Sequence, residues 1–393
     1  MVNRLKPKNL IRNSRLFKRL RTTPWYCRLR QSFGSGRLEY IEDSTDLECA
    51  ELVTIDWPAD IPKPRVGVVR DYDPYPRWTK FFRFLKTNSF EHALYDIQRH
   101  DWIERAAEFD VIVGIWSCEL CFLQELREKY YFLEKYLGKQ TFPSPDHTLL
   151  YEDKRLESYI ATLHGIPFPK TYISYSKADA LRLIEEPPYP FISKSIPSSG
   201  SVGVQLIKNK FEAQTVVNQS FSPVGRKIHL TYARQKNYVY FQEFIPNDGY
   251  DIRVIVVRNL IFGYYRKTLP GDFRASGMNL VEKRDLPTPA IDLAIRLNEI
   301  IRSPILVVDL LHGTDGKFYV IEYSPACQME TPEQFHKDGV PGLLVHDDDG
   351  NYRFEAHRYW VHELALREFF LSDYLSKKAM DNLAFPLMSA AAS

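Results

Sequence analysis

The sequence predicts an α/β protein that folds into two or three packed units. The chain has 393 residues, which is too many for one ordinary hydrophobic core. Its apolar fraction of 44%, with 24 Tyr and 24 Phe, can fill more than one core. Short buried strands first alternate with helical segments, and strand-rich hairpins follow. Together these patterns favour a mixed fold with α/β and α+β parts.

Residues 1–60 are expected to form a basic N-terminal extension. Residues 1–37 contain eleven Lys or Arg and no acidic residue, whereas the whole chain has a net charge of +2. The other 356 residues therefore carry −9. Basic and apolar residues alternate between residues 10 and 21, as in a basic amphipathic helix. Three interpretations stay open: contact with a membrane surface or polyanion, an Arg-rich transit peptide, and a solvated tail.

Composition also excludes several classes of protein. No run approaches the roughly 18 consecutive apolar residues that a membrane span requires. The five Cys form no disulfide framework, which favours a reducing compartment. We therefore expect a cytoplasmic protein, or one peripheral at the inner face of a membrane. A nucleic-acid partner is not expected, because the body behind the basic segment is acidic.

Residues 61–148 are predicted to form a small, parallel, Rossmann-like α/β unit. Val66–Val69 and Asp110–Trp116 have the composition of short buried strands. Leu120–Tyr136 has helical composition and apolar spacing. Alternating strands and helices favour a parallel sheet, and this one is expected to end near Pro145.

Residues 149–345 are expected to form the larger unit, in two lobes that divide near residue 238. A helix from Asp153 to Leu163 has the clearest signals, because Gly165 suits its C′ position and Pro167 stops its continuation. Strands are predicted at 191–196, 203–207, 238–245 and 252–267, with a turn at 258–259, a helix ending at 301 and a hairpin over 305–324. Residues 346–393 are expected to be a C-terminal helical segment, with a helix over much of 355–374.

The hairpin over 305–324 places two carboxylates opposite each other. Asp315-Gly316 favours a two-residue type I′ turn, and counting outward from it sets Asp309 opposite Glu322. Ser324 joins the same face two residues later. The repulsion between two such carboxylates must be offset by a shared proton, a basic side chain or a cation. Oxygen ligands on neighbouring strands suit magnesium, although a slip of the turn would expose one carboxylate harmlessly.

Lys194 and the loop after it could hold a polyphosphate. Lys194 lies within an apolar strand, and Ser198–Gly203 is rich in small residues. The backbone N–H groups of such a loop can close over phosphates while an upstream Lys supplies a point charge. An ordinary Ser/Gly turn beside an edge strand explains the same pattern equally well.

Two more features are individually ambiguous. Residues 240–245 run from a strand into a Pro-Asn-Asp-Gly turn, where backbone groups can meet an adenine edge, but an ordinary strand and turn is the simpler interpretation. Guanidinium groups match phosphate and carboxylate groups, yet each basic residue could equally be a surface charge. The basic residues concerned are Arg253, Arg266, Lys267 and Arg274.

Taken in order, these motifs resemble the ATP-grasp superfamily and, most closely, its RimK-like carboxylate-amine ligases. The resemblance covers about 64–332. It implies an ATP-grasp fold at 149–345, preceded by a pre-ATP-grasp domain at 61–148. The matching motifs are Asp153-Lys154, Lys194 with its loop, Gln242-Glu243-Phe244-Ile245, Asp251-Ile252-Arg253, Arg266-Lys267, Gly271-Asp272-Phe273-Arg274, Asp309 and Glu322-Tyr323-Ser324-Pro325.

The resemblance also implies a role for each matched residue. The ATP-binding set would contain the phosphate lysines, a lid at 198–203, the adenine hinge and a residue near the ribose: Lys154, Lys194, Ser199, Gly200, Ser201, Gly203, Gln242, Glu243, Phe244, Ile245 and Asp251. The catalytic set beside the phosphates would be Arg266, Lys267 and Arg274. The magnesium ligands would be Asp309, Glu322 and Ser324, with two ions expected and Mn²⁺ as an alternative.

The implied reaction uses ATP to join a carboxylate to an amine through an acylphosphate. The expected partners are an amine or amino acid and a carboxylate acceptor, such as a peptide or a cell-surface glycan. The chain departs from the family where Ser324 replaces the usual Asn and where Ala275-Ser276 replaces Ser-Asn. A kinase that phosphorylates a hydroxyl group, and a nucleotide-binding scaffold without catalysis, are the alternatives.

Overall fold

The computed structural model describes residues 43–73, 75–115, 120–185, 189–196, 203–228, 233–269, 273–274 and 280–379. The basic segment 1–37 and the predicted loop residues Ser199, Gly200 and Ser201 lie outside these ranges. None of the helices in these ranges has both the length and the apolar character needed to cross a bilayer.

A parallel sheet begins the fold, after a short 3₁₀ helix at Leu47–Cys49. Its four strands lie in the order β2-β1-β3-β4, and every neighbouring pair is parallel. The predicted strand at Val66–Val69 and helix at Leu120–Tyr136 are confirmed, whereas the strand predicted at Asp110–Trp116 is shorter. The elements are β1 (Val66–Val68), α1 (Trp78–Thr87), β2 (His92–Leu94), α2 (Trp102–Ala106), β3 (Val111–Val113), α3 (Leu120–Leu137) and β4 (Gln140–Phe142).

Two helices connect this sheet to the rest of the fold: α4 (Pro145–Leu150) and α5 (Lys154–Leu163). Asp153 caps α5, since its side chain accepts hydrogen bonds from the first-turn backbone N–H groups. Gly165 follows the last turn with a φ of +61°, a conformation that glycine adopts without strain. The predicted boundaries of this helix are therefore confirmed.

A small antiparallel sheet has the strand order β5-β10-β6-β7. Helices α6 and α7 pack on one face, around buried Ala180, Val217 and Val239. Because β6 lies inside the sheet, Lys194 at its end is not on an edge strand. The elements are β5 (Thr171–Ser174), α6 (Lys177–Leu183), β6 (Phe191–Lys194), β7 (Val204–Ile207), α7 (Lys210–Ser220), β8 (Arg226–Lys227), β9 (Arg234–Gln235) and β10 (Val239–Glu243).

A larger antiparallel sheet has the order β15-β14-β11-β12-β18-β19, with β13 paired to β12. The predicted turn at Arg258-Asn259 joins β11 to β12 and is confirmed. The elements are β11 (Asn247–Val257), β12 (Leu260–Lys267), β13 (Val281–Glu282), α8 (Thr288–Ile301), β14 (Leu306–Gly313), β15 (Phe318–Ser324), β16 (His336–Lys337), β17 (Val340–Pro341), β18 (Leu343–His346) and β19 (Tyr352–Glu355).

The hairpin between β14 and β15 has a different turn from the one predicted. Gly313 N donates to Lys317 O at 2.8 Å, so the loop has three residues and ends in Gly316 with a φ of +78°. This connection is common in hairpins, but it shifts the register by one residue. A bulge at Ile321 adds that residue back on β15, so Asp309 still pairs with Glu322. The predicted type I′ turn is wrong, whereas the predicted pairing of Asp309 with Glu322 is confirmed.

The C-terminal part of the described chain contains both a strand and a helix. Residues 352–355, within the segment expected to be helical, form β19 and pair with β18. Helix α9 (Val361–Glu368) follows and continues into a π-helical turn at Phe369–Tyr374. Phe370 of this turn stacks on Phe90 at 4.7 Å between ring centres. The C-terminal helix thus packs against the N-terminal sheet and shares one core with the large sheet.

Candidate active site

A cleft of about 820 Å³ lies between the small and the large antiparallel sheets. One wall comes from β6, β7 and β10 and the other from β11, β12, β14 and β15. The predicted site residues that line it are Lys154, Lys194, Gln242, Glu243, Phe244, Ile245, Asp251, Arg266, Arg274, Asp309 and Glu322.

Charged side chains of alternating sign cross the large sheet beneath this cleft. Arg266 on β12 is paired with Asp251 on β11, and Arg253 on β11 is paired with Asp309 on β14. Asp309 is paired in turn with Glu322 on β15. Because directly paired residues share a face of the sheet, the strand register alone places these five side chains together.

Asp309 is held by two guanidinium groups. Arg253 donates from Nε and Nη2 to the two carboxylate oxygens, both at 2.8 Å. Arg266 Nη2 lies 2.7 Å from Asp309 Oδ2. Burial alone would raise the pKa of Asp309, but Arg253 and Arg266 lower it well below its ordinary value. Asp309 is therefore an anion at any physiological pH.

Glu322 is paired with Lys154, the first residue of α5. Lys154 Nζ lies 2.9 Å from Glu322 Oε1, and the lysine side chain is almost fully buried. Burial alone would lower the pKa of Lys154, but the Glu322 carboxylate raises it above its ordinary value. The cap at Asp153 fixes the start of α5 and so positions Lys154 beside this carboxylate.

Lys194 points into the same region from the small sheet. Its Nζ donates to the backbone oxygen of Ile321 at 3.3 Å and lies 5.8 Å from the centre of the Tyr240 ring. Burial lowers the pKa of Lys194 to about 8. Lys194 therefore titrates close to physiological pH, unlike Lys154.

The four residues of the predicted hinge at 242–245 all line the cleft. Gln242 is buried, and its amide donates to the Thr171 hydroxyl at 2.9 Å. The Phe244 ring meets the Phe273 ring edge to face at 6.2 Å. Phe273 and Arg274 are the two described residues of the predicted Gly-Asp-Phe-Arg motif, and both line the cleft.

Three predicted site residues have other partners within the protein in this structure. Asp251, expected near a ribose, is buried and accepts two hydrogen bonds from Arg266 at 2.6 and 2.8 Å. Lys267 is exposed and lies 5.3 Å from the Tyr250 ring centre, on the opposite face of β12 from Arg266. The Ser324 hydroxyl donates to Ala326 O at 2.7 Å, so it is not directed at the two carboxylates. Each of these three side chains thus contacts another group of the protein.

Known proteins are similar in sequence to the part of the chain that forms this cleft. The model of the RimK-like ATP-grasp domain matches residues 151–341. The glutamate–LysW ligase ArgX of Sulfolobus acidocaldarius is 31% identical over 200 residues, which cover 49% of this chain and 67% of the relative. The chain belongs to the RimK-like ATP-grasp family.

Other similar proteins agree with this assignment. The α-aminoadipate–LysW ligase LysX of Saccharolobus solfataricus is 26% identical over 212 residues, covering 51% of this chain and 71% of the relative. The solved structure of the D-cycloserine synthetase DcsG superposes with a TM-score of 0.53 at 16% identity, covering 77% of this chain and 99% of that chain. The predicted ATP-grasp fold is confirmed. The chain is an ATP-dependent carboxylate-amine ligase of this family, whose members use ATP and divalent metal ions, generally Mg²⁺.

The two opposed carboxylates fit part of a magnesium site. Their oxygens are the ligands that Mg²⁺ prefers, and this ion usually takes one or two carboxylates together with phosphate oxygens and water. Among the described residues, no cluster of three or more His, Cys, Asp or Glu side chains is placed to hold a metal. Phosphate oxygens and water would therefore have to complete the coordination of an ion at Asp309 and Glu322.

The repulsion between these carboxylates is offset in this structure by basic side chains. The sequence left three solutions open, and Arg253, Arg266 and Lys154 supply the second of them. Any ion that binds both carboxylates must share them with these cations or displace them. Displacement is easier at Glu322, which binds a single ammonium among the described residues, than at Asp309 between two guanidinium groups.

Sequence reasoning missed the apolar walls of the cleft. The side chains concerned are Pro169, Ile192, Val204, Leu311 and Ile321. The signal was present for some of them, because residues two apart on a strand share a face. Ile192 lies two residues before Lys194, and Leu311 lies two residues after Asp309.

Two acidic residues next to the predicted Asp153-Lys154 motif were also missed. Glu157 on α5 is buried, and its Oε2 accepts from Tyr323 N at 3.2 Å, which ties the helix to β15. Burial raises the pKa of Glu152 to about 7, with Lys154 and Glu322 nearby. Glu152 also has a φ of +61°, a strained conformation for a non-glycine residue. Nothing in the sequence pattern distinguishes either residue from an ordinary surface glutamate.

Proposed function

We propose that this ligase activates a carboxylate as an acylphosphate and then joins it to the amine of an amino acid or a small amine. The observation that carries the proposal is the opposed pair Asp309–Glu322, set in a cleft with two buried lysines. Anionic and cationic groups at close quarters suit a triphosphate with its counterion and a substrate carboxylate. An acylphosphate transfers its acyl group to an amine and releases phosphate, so no covalent nucleophile of the protein is required.

In this proposal, different residues of the cleft bind the phosphates and the adenine. Lys154 and Lys194 bind phosphate oxygens, and 198–203, with Gly203 just before β7, closes over them. Gln242, Glu243, Phe244 and Ile245 contact the adenine, with apolar walls from β6 and β14 on either side of its ring. Excluding water in this way would protect an acylphosphate from hydrolysis.

The guanidinium groups stabilise charge on the transferring group. Arg253, to which the sequence analysis gave no separate role, is the guanidinium that binds both oxygens of Asp309. Arg266 is held rigidly by Asp251, so we propose that Asp251 positions Arg266 and does not contact the ribose. Arg274 lines the same cleft. Preorganised cations of this kind favour the transition state because they need no rearrangement when charge develops.

Asp309 and Glu322 would hold the divalent ion. When bound there, Mg²⁺ neutralises charge on the phosphate oxygens. With the ion at Glu322, Lys154 would bind phosphate oxygens instead of this carboxylate. The expectation of two ions, with Mn²⁺ as a substitute, stays a prediction that metal titration of the nucleotide complex can check.

The relatives support the substrate class. LysX is named an α-aminoadipate–LysW ligase and ArgX a glutamate–LysW ligase. A relative from Methanocaldococcus jannaschii is named a coenzyme γ-F420-2:α-L-glutamate ligase. We propose an amino acid or amine and a carboxylate on a larger acceptor, such as a peptide or a glycan. Anionic acceptors would also suit the basic segment 1–37.

We also propose the domain division that the sequence predicts, with boundaries at 60, 148 and 345. The parallel sheet ends at Phe142 and the large sheet continues to Glu355, which supports the boundary at 148 better than the one at 345. The internal division near 238 falls just before β10, the last strand of the small sheet.

The test is ADP and phosphate release from ATP, Mg²⁺ and a pool of amino acids and acceptor carboxylates. A ligase releases both products only when amine and acceptor are present. ADP without free phosphate would show a kinase instead, and neither product would show a scaffold.

The variant that tests the site combines Asp309→Asn with Glu322→Gln. We expect ADP formation to be lost, because neither amide provides the anionic oxygens that a divalent ion requires. The matched control is Asp315→Asn, a carboxylate in the loop of the same hairpin that accepts from the Tyr319 hydroxyl at 2.7 Å and does not line the cleft. Unchanged turnover in the double variant would reject the assignment.

A further inference from the structure

Strand β15, which carries Glu322, lies at the edge of the large sheet. The outer side of an edge strand presents backbone N–H and C=O groups that no neighbouring strand binds. Three of these groups in β15 are bound by other parts of the protein, so the segment around Glu322 is held from both sides. The three contacts are Val320 N to Pro167 O at 2.8 Å, Lys194 Nζ to Ile321 O at 3.3 Å, and Tyr323 N to Glu157 Oε2 at 3.2 Å.

The contact with Glu157 is the one of these three that joins β15 to helix α5. Glu157 and Tyr323 are each 1% exposed, so solvent does not compete for their hydrogen bond. The Tyr323 hydroxyl donates in turn to the backbone oxygen of Glu157 at 2.8 Å. Two hydrogen bonds therefore connect the same two residues, and they fix the distance between the helix and the strand at this point.

Lys154 makes a second contact between the same helix and strand. It lies three residues before Glu157 on α5 and therefore on the same side of the helix, and its Nζ is 2.9 Å from Glu322 Oε1. In the proposed function this contact is broken, because the ion takes Glu322 and Lys154 binds phosphate oxygens. The hydrogen bond between Glu157 and Tyr323 involves no group that binds the ion or the nucleotide, so it can stay intact in both states.

The sheet constrains Glu322 less than it constrains Asp309. A bulge at Ile321 directly precedes Glu322, and a bulge interrupts the hydrogen bonds between two strands. The Glu322 side chain is 33% exposed and the Asp309 side chain is 7% exposed, so packing also holds Glu322 less firmly. Two carboxylates that share one ion must nevertheless stay at a fixed distance. The missing constraint has to come from outside the sheet.

Resting on the ligase function above, we propose that Glu157 is a positioning residue that, through Tyr323 N, holds Glu322 at the distance from Asp309 that one divalent ion requires. Glu157 belongs to the same helix as Lys154, so this hydrogen bond also fixes Lys154 relative to the ion. Glu157 itself touches neither the ion nor the nucleotide. Its effect is comparable to that of the outer partners that orient metal ligands, whose loss typically weakens metal binding about 10–100-fold.

Two substitutions of Glu157 separate the length of the side chain from its charge. Glu157→Asp keeps the charge but shortens the side chain by one methylene group, so it no longer reaches Tyr323 N. Glu157→Gln keeps the length and an acceptor oxygen but carries no charge. The measurement is the dissociation constant of Mn²⁺, followed by electron paramagnetic resonance on the full chain with a non-hydrolysable ATP analogue.

We expect Mn²⁺ to bind about 10–100-fold more weakly to Glu157→Asp and as tightly to Glu157→Gln as to the wild type. Every other pattern would overturn the proposal. Weaker binding in Glu157→Gln, with or without a loss in Glu157→Asp, would assign the effect to the charge of Glu157. Unchanged binding in both variants would show that Glu322 keeps its position without this contact.

Tyr323→Phe is the matched control, because it breaks the other hydrogen bond between the same two residues. It removes the hydroxyl that donates to Glu157 O and leaves the backbone N–H of residue 323 with its acceptor. We expect the free energy of unfolding to fall and the Mn²⁺ affinity to stay unchanged. A loss of affinity as large as in Glu157→Asp would show that the general packing of α5 controls the ion, and would contradict the proposal.

Hydrogen exchange of the Tyr323 amide covers the case in which Glu157→Asp does not fold. The wild-type chain is compared by NMR without ligand and with the ATP analogue and Mg²⁺. Because the hydrogen bond to Glu157 persists when Lys154 leaves Glu322, we expect slow exchange in both states. Exchange that becomes fast when the ligands bind would show that this contact is absent from the working state, and would overturn the proposal.

ADP release separates this inference from the proposed function, because Mn²⁺ binding is measured without turnover. If no ADP forms with any amine and acceptor while Mn²⁺ binding depends on the length of residue 157, the ligase function fails and the positioning role stands. If ADP forms and the Mn²⁺ affinity is the same in all the variants, the inference fails and the function stands.

Discussion

Two regions of this protein bury ion pairs at similar depth, and they use them differently. At the junction of α1 and α9, Arg83 binds both oxygens of Glu363 at 2.6 and 3.1 Å. Its other N–H groups donate to the backbone oxygens of Leu47, Ala50 and Glu51. All five donors of this guanidinium are therefore satisfied within the protein.

The charged side chains of the cleft, by contrast, share their partners or have few of them. Asp309 is shared between two guanidinium groups, Glu322 is partly exposed and is held by a single lysine, and Lys194 contacts only a backbone oxygen and an aromatic ring in the contacts described above. The difference teaches that burial of charge alone does not mark a functional site. A functional cluster faces a cavity and contains partners that can be exchanged for those of a ligand.

The largest effect that separates the junction from the cleft is expected on the free energy of unfolding. Arg83→Ala leaves Glu363 buried without its partner, and removing one member of a buried pair typically costs about 3–5 kcal/mol. We expect a loss of that order in the free energy of unfolding, measured by denaturant titration.

The matched control is Arg99→Ala, because Arg99 makes the same bidentate contact with Asp101 on the surface. The free energy of unfolding should hardly change there, since solvent screens exposed pairs. Equal losses in both variants would mean that burial does not distinguish the two pairs.

The next effect concerns activity. Lys154→Met keeps the length of the side chain and removes its charge, so we expect kcat/KM for ATP to fall by about 10²–10³, as for the loss of one preorganised donor. The fall in the free energy of unfolding should be smaller than in Arg83→Ala, because Glu322 can regain water at the cleft. A stable variant with normal kcat/KM would exclude Lys154 from phosphate binding.

Lys194 gives the cleft a pH dependence that the junction lacks. Because its pKa is lowered to about 8, its charge is present below that pH and is lost as the pH rises. kcat/KM for ATP, which reports groups of the free enzyme, should therefore fall as the pH rises through about 8. In Lys194→Arg the charge persists and this fall should disappear. A profile that is the same in both proteins would remove Lys194 from ATP binding.

The smallest expected effect is at the hinge. Phe244→Ala removes an edge-to-face contact with Phe273, and such contacts contribute about 0.5–1.5 kcal/mol beyond area burial. We expect KM for ATP to rise by up to about tenfold, with kcat little changed. A change in kcat alone would indicate that Phe244 acts on the reacting groups and not on the adenine.

The same comparison shows how much could be predicted from sequence. The opposed carboxylates of the cleft lie on one hairpin, so counting residues from the turn found them, even though the turn type was wrong and the bulge at Ile321 restored the register. Arg83 and Glu363 are 280 residues apart, and no local pattern connects them. Lys154 and Glu322 were each found, but the ion pair between them, across 168 residues of sequence, was not predicted.

The roles of Asp251, Lys267 and Ser324 stay predictions, and the partners of these side chains in this structure have a common physical cause. Each residue was placed near the site by its position in a motif, and each side chain instead binds a neighbour: Arg266, the Tyr250 ring and the Ala326 backbone. Motif order fixes the backbone position of a residue. The direction of its side chain depends on strand register and on partners from other parts of the chain.

The most direct test of the cleft is a crystal structure with a non-hydrolysable ATP analogue and Mg²⁺. The account predicts the triphosphate between Lys154 and Lys194, the adenine against residues 242–245, and at least one ion bound by Asp309 and Glu322 after Lys154 has left the latter. A nucleotide bound outside this cleft, or Glu322 still paired with Lys154 while the ion lies elsewhere, would contradict it.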